Sequence, residues 1–431
     1  MDVVLIALFI LVLLALYLIG VPVAFALGLT SLILMLTPMV SYSPELVAQT
    51  LVSGADSFVL LAIPLFLLTG LYMNSFGLTS IIFDFAEEMI GPIRGGIAHV
   101  NILASILFSG MTGTAAADAA GLGAIEYEAM QDAGYEKGYS AAVTGSSAII
   151  GPIIPPSVPL IMYGILAQVS IGVLFIAGIV PGLIMGATLL MLCTYYAHSH
   201  GYERGTWWSL PDIWESFKTA APALGTPVLI IGGLLGGFFT ATEAGAVALF
   251  YTLFVGYVFY GGVENGDFVE TTYEGVVTTA ALTFIVASAT LYGFLVRRAQ
   301  LPDALAEAVI GVTGDPTLLL LMIVGVLLIV GLMMETIAAI TILTPVFLPV
   351  IDVAGIDPIH FGIVMILTLM IGLLTPPFGI ILFILEKVTD VGLERIMRSM
   401  VPFYIPLLII LLLVVVLPGL TLWLPKFVGL I

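Results

Sequence analysis

The sequence predicts an all-α membrane protein of two inverted halves, each with about five spans, one re-entrant helical hairpin and one broken span. Three observations carry this. The chain is 61% hydrophobic and 9% charged, where soluble domains are nearer half apolar and a quarter charged. Its apolar runs are continuous rather than alternating, which excludes a β-barrel. The stretches Ser109–Pro156 and Val330–Pro377 carry one pattern of helix breakers 221 residues apart. Gly110 pairs with Gly331, Gly151 with Gly372, Pro155-Pro156 with Pro376-Pro377, and Val180-Pro181 with Val401-Pro402. In lipid, unwound backbone survives only where protein or a water-filled cavity satisfies it, so matched breaks mark a site.

The first repeat is expected over 1–221. Its scaffold helices occupy 1–96, with spans Val3–Gly20 and Val21–Leu36 joined at Gly20-Val21-Pro22, then Asp56–Phe76, then an interfacial amphipathic segment, Thr79–Arg94. The N-terminus lacks the basic region and cleavage site of a secretory signal, so Val3–Gly20 reads as a span. A hairpin follows over 97–133. Ile97–Ser109 is too short to cross, breaks at Gly110 to Asp118, and returns to the charged stretch EYEAMQDAGYEKG. A span over 138–168 is broken at GPIIPPS, because proline removes a donor and clashes with the preceding turn. A last span covers 171–197, from Ile171 to Tyr196.

The second repeat, 222–431, repeats this order: scaffold helices over 222–315 (spans Leu224–Thr240, Glu243–Tyr260 and Val277–Arg297, interfacial Leu301–Gly311), a hairpin over 316–351 breaking at GLMMETIAAI, a span over 358–387 broken at GLLTPP, and a last span over 399–425, from Val401 to Leu424. An odd number of crossings per half inverts the second half. With both termini extracytoplasmic, Arg94, Lys137, Arg204, Lys218, Lys387, Arg395 and Arg398 face the cytoplasm. Arg297, Arg298 and Lys426 lie outside, in accord with the positive-inside rule.

A net charge of −18 is the wrong sign for a nucleic-acid-binding surface and reads as an acidic solvated rim. Cys193 stands alone, so no disulfide or cysteine metal site forms within the chain. No GxxxxGK[ST] loop or HExxH motif is present, and no nucleophile–base pair suggests an enzyme.

The chemistry is expected at the breaks, where helix ends at mid-membrane offer carbonyls to cations and N–H groups to anions. The first tip adds Thr112, Thr114 and Asp118, facing Ser146, Ser147, Gly151, Pro152 and Ser157. The second offers Gly331, Glu335 and Thr336 against Gly372, Thr375 and Pro376. Hard oxygens without His or Cys suit an alkali cation. Asp118 and Glu335 are ionisable groups at membrane depth, functional by default, with helix capping as the other reading. Glu243 reads equally as a cap. His198 and His200 are too isolated for a metal, and Gly232, Gly233, Gly236 and Gly237 suit close packing.

The runs GVPVAFALGL, IPLFLLTG, RGGIAHVNILASILFSGMTGTAAADAAGLGAI, IGPIIPPSVPLIMYG, FIAGIVPGLIMG, FTATEAGAVA, LTPVFLPV, GIDPIHFG, IGLLTPP and GLERI resemble the large membrane (M) subunit of tripartite ATP-independent periplasmic (TRAP) transporters, in the ion transporter superfamily. The likeness covers nearly the whole chain in order. It implies sodium-driven uptake of a small organic acid, commonly a C4-dicarboxylate, sialic acid or another carboxylate, through the inner membrane by an elevator mechanism. It implies two partners, a soluble extracytoplasmic substrate-binding protein (P) and a small four-helix membrane subunit (Q).

Carried over by motif, one Na+ site is Gly110, Thr112, Gly113, Thr114 and Asp118 with Gly151 and Pro152. The second is Gly331, Glu335 and Thr336 with Gly372, Thr375 and Pro376. Thr112, Thr114, Ser157, Met334 and Thr375 fall to the substrate. Thr112 and Thr114 stand where the family often has Ser, Glu335 where it often has Asp, and Thr368 and Ile381 where Asn is frequent. A proton-coupled organic-anion transporter or antiporter relaying through Asp118 and Glu335 is the alternative.

Overall fold

The computed structural model describes residues 11–13, 15–17, 19–35, 44–108, 114–202, 207–263, 265–298 and 314–431. The expected tip residues Gly110, Met111, Thr112 and Gly113, and the segment Leu301–Gly311, lie outside them. All regular elements described are helices, and eight are long and apolar enough to cross a membrane. Outward faces stay apolar, as at Phe250, Phe254 and Val258 or Ile405, Ile409 and Leu412, which suits lipid as solvent.

Residues 11–13 and 15–17 are helical, and Gly20 beyond them takes φ 88°. Its N–H bonds to Tyr17 O and that of Val21 to Leu16 O, a glycine-terminated helix end at the expected joint. Then come α1 (Val23–Met35), α2 (Pro44–Ala55), a short 3₁₀ turn (Phe58–Leu61), α3 (Ala62–Ser75) and α4 (Leu78–Ile90). Helix α2 was not anticipated. Only 12 residues long, it lies against a later helix, where a Cβ on Gly54 would sit 2.8 Å from Thr290. The amphipathic α4 lies where the interfacial segment was expected, burying Leu78, Ile82, Phe83 and Ala86.

The segments expected as hairpin and first broken span follow: α5 (Gly96–Phe108), α6 (Ala115–Ala120), α7 (Leu122–Asp132), α8 (Lys137–Ala148), a break, and α9 (Val158–Ala167). Next are α10 (Ile171–Ser199), α11 (Leu210–Leu235), α12 (Ala241–Phe259) and α13 (Asn265–Arg298). Helices α11 and α13 start well before the apolar stretches that announced them. Polar residues at Leu210–Ala221 and Asn265–Val276 are helix-compatible where a helix leaves the hydrocarbon, so hydropathy alone understates its length. Glu243 closes a capping box with Thr240, the bland reading of that residue.

The last part contains α14 (Pro316–Met333), α15 (Thr336–Val353), α16 (Pro358–Leu374), a break, α17 (Ile380–Thr389), α18 (Leu393–Val416) and α19 (Gly419–Phe427). Three boundaries correct the sequence reading. The second tip interrupts the helix only at Met334-Glu335, so Gly331 is helical. The second break opens at Thr375, so Gly372 is helical too. The final span is 393–416, because Pro418 stops it before Leu424.

Helices α5, α6 and α7 pack on α8, α9 on α15, α14 on α16, and α6 on α17, while α13 packs on α1, α2 and α3, and α12 on α3. The helices expected to form the two hairpins and the two broken spans thus share one packed body. Its core includes Tyr163, Phe175, Phe361 and Phe403, all fully buried. At one end Glu136 caps α8 and binds Arg395 Nε and Nη2 at 3.0 and 2.7 Å. Partial burial pushes its carboxyl up, but Arg395 and the N–H groups of Tyr139 and Gly138 outweigh this and hold it below 4.5. A depressed pKa means that the bridge contributes above about pH 4.5 and is lost as pH falls below it. Arg395→Gln is therefore expected to flatten the acid limb of thermal stability below pH 4.5 and to cost less than about 1 kcal/mol at neutral pH, the pair being half exposed.

Candidate site at the helix breaks

The first break lies between the carboxyl end of α8 and the amino end of α9. Ser157 holds it shut: its hydroxyl donates to Pro152 O and accepts the N–H of Leu160 at 3.2 Å, capping α9. Ser146 and Ser147 are also committed, Ser146 to Ala142 O at 2.7 Å and Ser147 to Asn101 Oδ1 at 2.6 Å. Ser157→Ala is thus expected to lower thermal stability by about 1 kcal/mol while changing the KM of uptake little.

Across from the break, Thr114 caps α6 by accepting the N–H of Ala117 at 3.3 Å. One turn on, Asp118 is 5% exposed, and its carboxylate lies against Gly151, where a Cβ would collide with Oδ2. The structure thus brings Asp118, Gly151 and Pro152 into one buried neighbourhood, with Thr114 at its edge. Sequence reasoning missed what lies behind them. Glu126 on α7 is 1% exposed, accepts a hydrogen bond from Ser105 at 3.3 Å, and is near enough for the charge of Asp118 to act on it. Asn101 bridges Thr144 and Ser147 at 2.9 and 2.6 Å, tying α5 to α8. The signal was available: Leu122, Glu126, Tyr127 and Met130 recur at helical spacing, which puts Glu126 on the buried face of α7.

At the second tip Glu335 caps α15, its Oε2 taking the N–H groups of Ile337 and Ala338 at 2.8 and 3.2 Å. Beside it the Thr336 hydroxyl is buried without a hydrogen-bond partner among the described residues. Met334 is 4% exposed. Thr375 closes α16, its hydroxyl bonded back to Ile371 O at 2.7 Å, and Pro376 is half-buried beyond it. The last carbonyl of α16, Leu374 O, accepts from Tyr404 Oη at 2.6 Å. Gly331 and Gly372 meet as a close crossing of α14 and α16: a Cβ on Gly372 would sit 2.7 Å from Gly331 Cα and C. Gly379, also unremarked in the sequence, lets the chain double back on Leu373 O and Thr375 O, 2.6 and 2.9 Å from where a Cβ would be.

The arrangement offers oxygens. Helix starts at Ser157, Glu335 and Thr114 are capped by their own side chains, which spends N–H groups that an anion would use. Asp118 and the orphaned Thr336 hydroxyl are buried hard oxygens, suited to an alkali cation. No cluster of His, Cys, Asp and Glu fit for a transition metal occurs among the described residues.

The family model "Tripartite ATP-independent periplasmic transporter, DctM component" matches residues 10–420. The sialic acid TRAP transporter large permease protein SiaM of Vibrio cholerae is 43% identical over 95% of this chain and 96% of its own. The 2,3-diketo-L-gulonate large permease YiaN of Escherichia coli is 39% identical, over 93% and 94%. The isethionate permease DctMQ of Oleidesulfovibrio alaskensis is 37% identical over 93% of this chain, but only 63% of its own length is matched. Among solved structures, the YdaH transporter of Alcanivorax borkumensis superposes with TM-score 0.63 at 17% identity, covering 92% of this chain and 97% of the other, which shows a shared fold. A multi-pass helical chain matched over almost its whole length is an inner-membrane transporter component and not an enzyme: it belongs to the DctM family of tripartite ATP-independent periplasmic transporters.

Proposed function

We propose that this chain is the membrane subunit of a sodium-coupled secondary transporter that takes up a small organic acid handed over by a soluble extracytoplasmic binding protein. The observation that carries the reading is the facing of two hairpins and two helix breaks within one body, with Asp118 against Gly151 and a partnerless Thr336 hydroxyl at the second tip. Relatives named for sialic acid and diketogulonate support an acidic cargo. The relative with an unmatched third, named DctMQ, supports a separate small membrane subunit as the third component.

The two halves run in inverted orientation, and the body carrying the breaks moves as an elevator against the scaffold of α1–α3 and α11–α13. A crevice of about 530 Å³ lies between these units, lined by Ser57 and Arg297 on one side and Gln168 and Asp352 on the other. It is large enough for a sugar acid. Arg94, bonded to Tyr202 past the end of α10, and Arg395, bonded to Glu136 beside Lys137, lie at the ends of α10 and α8 away from Gln168 and the crevice, which supports cytoplasmic placement of that end and extracytoplasmic termini. Thr114, Asp118 and the Gly151 turn would hold one sodium ion, with Glu335, Thr336 and the Thr375 turn holding a second. The described side chains there fix the helix ends and leave the Asp118 carboxylate and the Thr336 hydroxyl buried.

Proteoliposomes holding the chain with its small subunit test this directly, using labelled sialic acid, diketogulonate and C4-dicarboxylates with the cognate binding protein. Uptake should require both the binding protein and an inward sodium gradient. Uptake indifferent to sodium but driven by a proton gradient would favour the second reading, a proton relay, for which the buried pair Asp118 and Glu126 is the motivating observation.

A further inference from the structure

A cavity of about 350 Å³ opens where the α4–α5 turn meets the last turns of α10. Pro92, Ile93, Arg94, His99, Thr194, His198, Trp207 and Trp208 line it, and no carboxylate does so among the described residues. In a chain with 10 basic and 28 acidic residues, a pocket walled by a guanidinium, two imidazoles and two indoles is out of character. Its polar groups are only partly spent. Arg94 gives Nε to Tyr202 O at 3.0 Å, leaving the outer nitrogens of a fork suited to an oxyanion. His198 commits Nδ1 to Thr194 O at 2.8 Å, leaving Nε2. His99 is engaged through both nitrogens, with Gly95 O and Thr194, and serves as wall. Trp208 is anchored by its indole N–H to Met89 O at 2.9 Å, while Trp207 is 85% exposed.

The depth of the cavity identifies the class of ligand. Helix α10 has 29 residues, about 43 Å at 1.5 Å per residue, so its last turn lies past a hydrocarbon core of roughly 30 Å, at headgroup level. The amphipathic α4 runs into the same turn, and exposed tryptophans prefer that layer. We infer that this cavity binds the phosphate of an anionic phospholipid, with Arg94 on the phosphate oxygens and the two indoles against the glycerol and upper acyl chain. A soluble phosphate compound shares the charge but not the apolar rim. The −18 net charge repels free anions at long range, whereas a headgroup already in the bilayer needs no steering. Docked there, the lipid pins the α4–α5 turn to α10.

Tryptophan quenching by brominated lipid in nanodiscs tests this on the full chain and does not depend on what is transported. Brominated phosphatidylglycerol should quench more efficiently than brominated phosphatidylcholine at equal mole fraction, with a preference of roughly five-fold, the scale one arginine supplies at an anionic surface. Arg94→Gln should abolish the preference and Arg94→Lys should retain part of it. The variant Trp207→Phe with Trp208→Phe, which leaves Arg94 and the fold in place, should lose the preferential signal. Equal quenching by both lipids, a preference surviving in Arg94→Gln, or one surviving in the double tryptophan variant would each overturn the assignment. Relief of quenching by millimolar glycerol phosphate or inorganic phosphate would overturn it in favour of a soluble anion.

Discussion

Gly151→Ala is expected to reduce sodium-driven uptake by one to two orders of magnitude while the protein still reaches the membrane and folds. The added methyl has nowhere to go but the carboxylate of Asp118, which is 5% exposed and held on α6, itself packed on α8 and α17. Overpacking a dense interior costs about 1–3 kcal/mol, equivalent to roughly 5–150-fold in an affinity. That cost falls on the neighbourhood of one carboxylate rather than on the fold as a whole. If the carboxylate binds the coupling ion, sodium affinity measured from the concentration dependence of uptake weakens, and Asp118→Ala added to Gly151→Ala removes the clash without restoring transport. A Gly151→Ala variant with unchanged sodium dependence would show that the Asp118–Gly151 contact is packing alone.

Much of this architecture was legible because proline and glycine act locally. The first break was expected between Ile150 and Val158 and lies between Ala148 and Val158, since Pro152 follows Gly151 directly and disfavours helix at the residue before it. The second was placed too early. Gly372 looked like the breaker, yet the helix runs through it to Leu374 and stops at Thr375, the residue preceding Pro376. Proline set that boundary, and glycine served a different need, the approach of α14. Glu335 was legible only as an alternative, because a carboxylate one residue before a helix satisfies the first N–H groups whether or not it meets an ion. Glu126 escaped notice because it sits in a polar stretch, EYEAMQDAGYEKG, where composition suggests a loop and only helical spacing reveals the buried face. The roles of Tyr404, donating to Leu374 O, and of Asn101, joining α5 to α8, depend on which helices become neighbours, and a single chain does not announce that.

Gly372→Ala should do comparable damage by another route. A Cβ there would sit 2.7 Å from Gly331 Cα and C, and one on Gly331 would sit 3.1 Å from Leu369 O and 3.2 Å from Gly372 Cα. These neighbours are backbone, so no side chain can turn aside, and the helices α14 and α16 must separate. Close glycine crossings are how membrane helices gain contact where no hydrophobic drive exists between them. Separation also moves what the helices carry: the Met334-Glu335 tip lies about one turn from Gly331, and Thr375 less than one turn from Gly372. Both should therefore lose their register with the buried Thr336 hydroxyl. The expected result is a fall in thermal stability of about 1–3 kcal/mol together with a loss of sodium-stimulated uptake larger than that fall explains. Gly392→Ala, at a position where a Cβ meets nothing within 4 Å, is the matched control and should change neither. Equal loss of stability with normal transport in Gly372→Ala would separate the crossing from the site, and would mean that the tip and the break need not be held together for ions to couple to cargo.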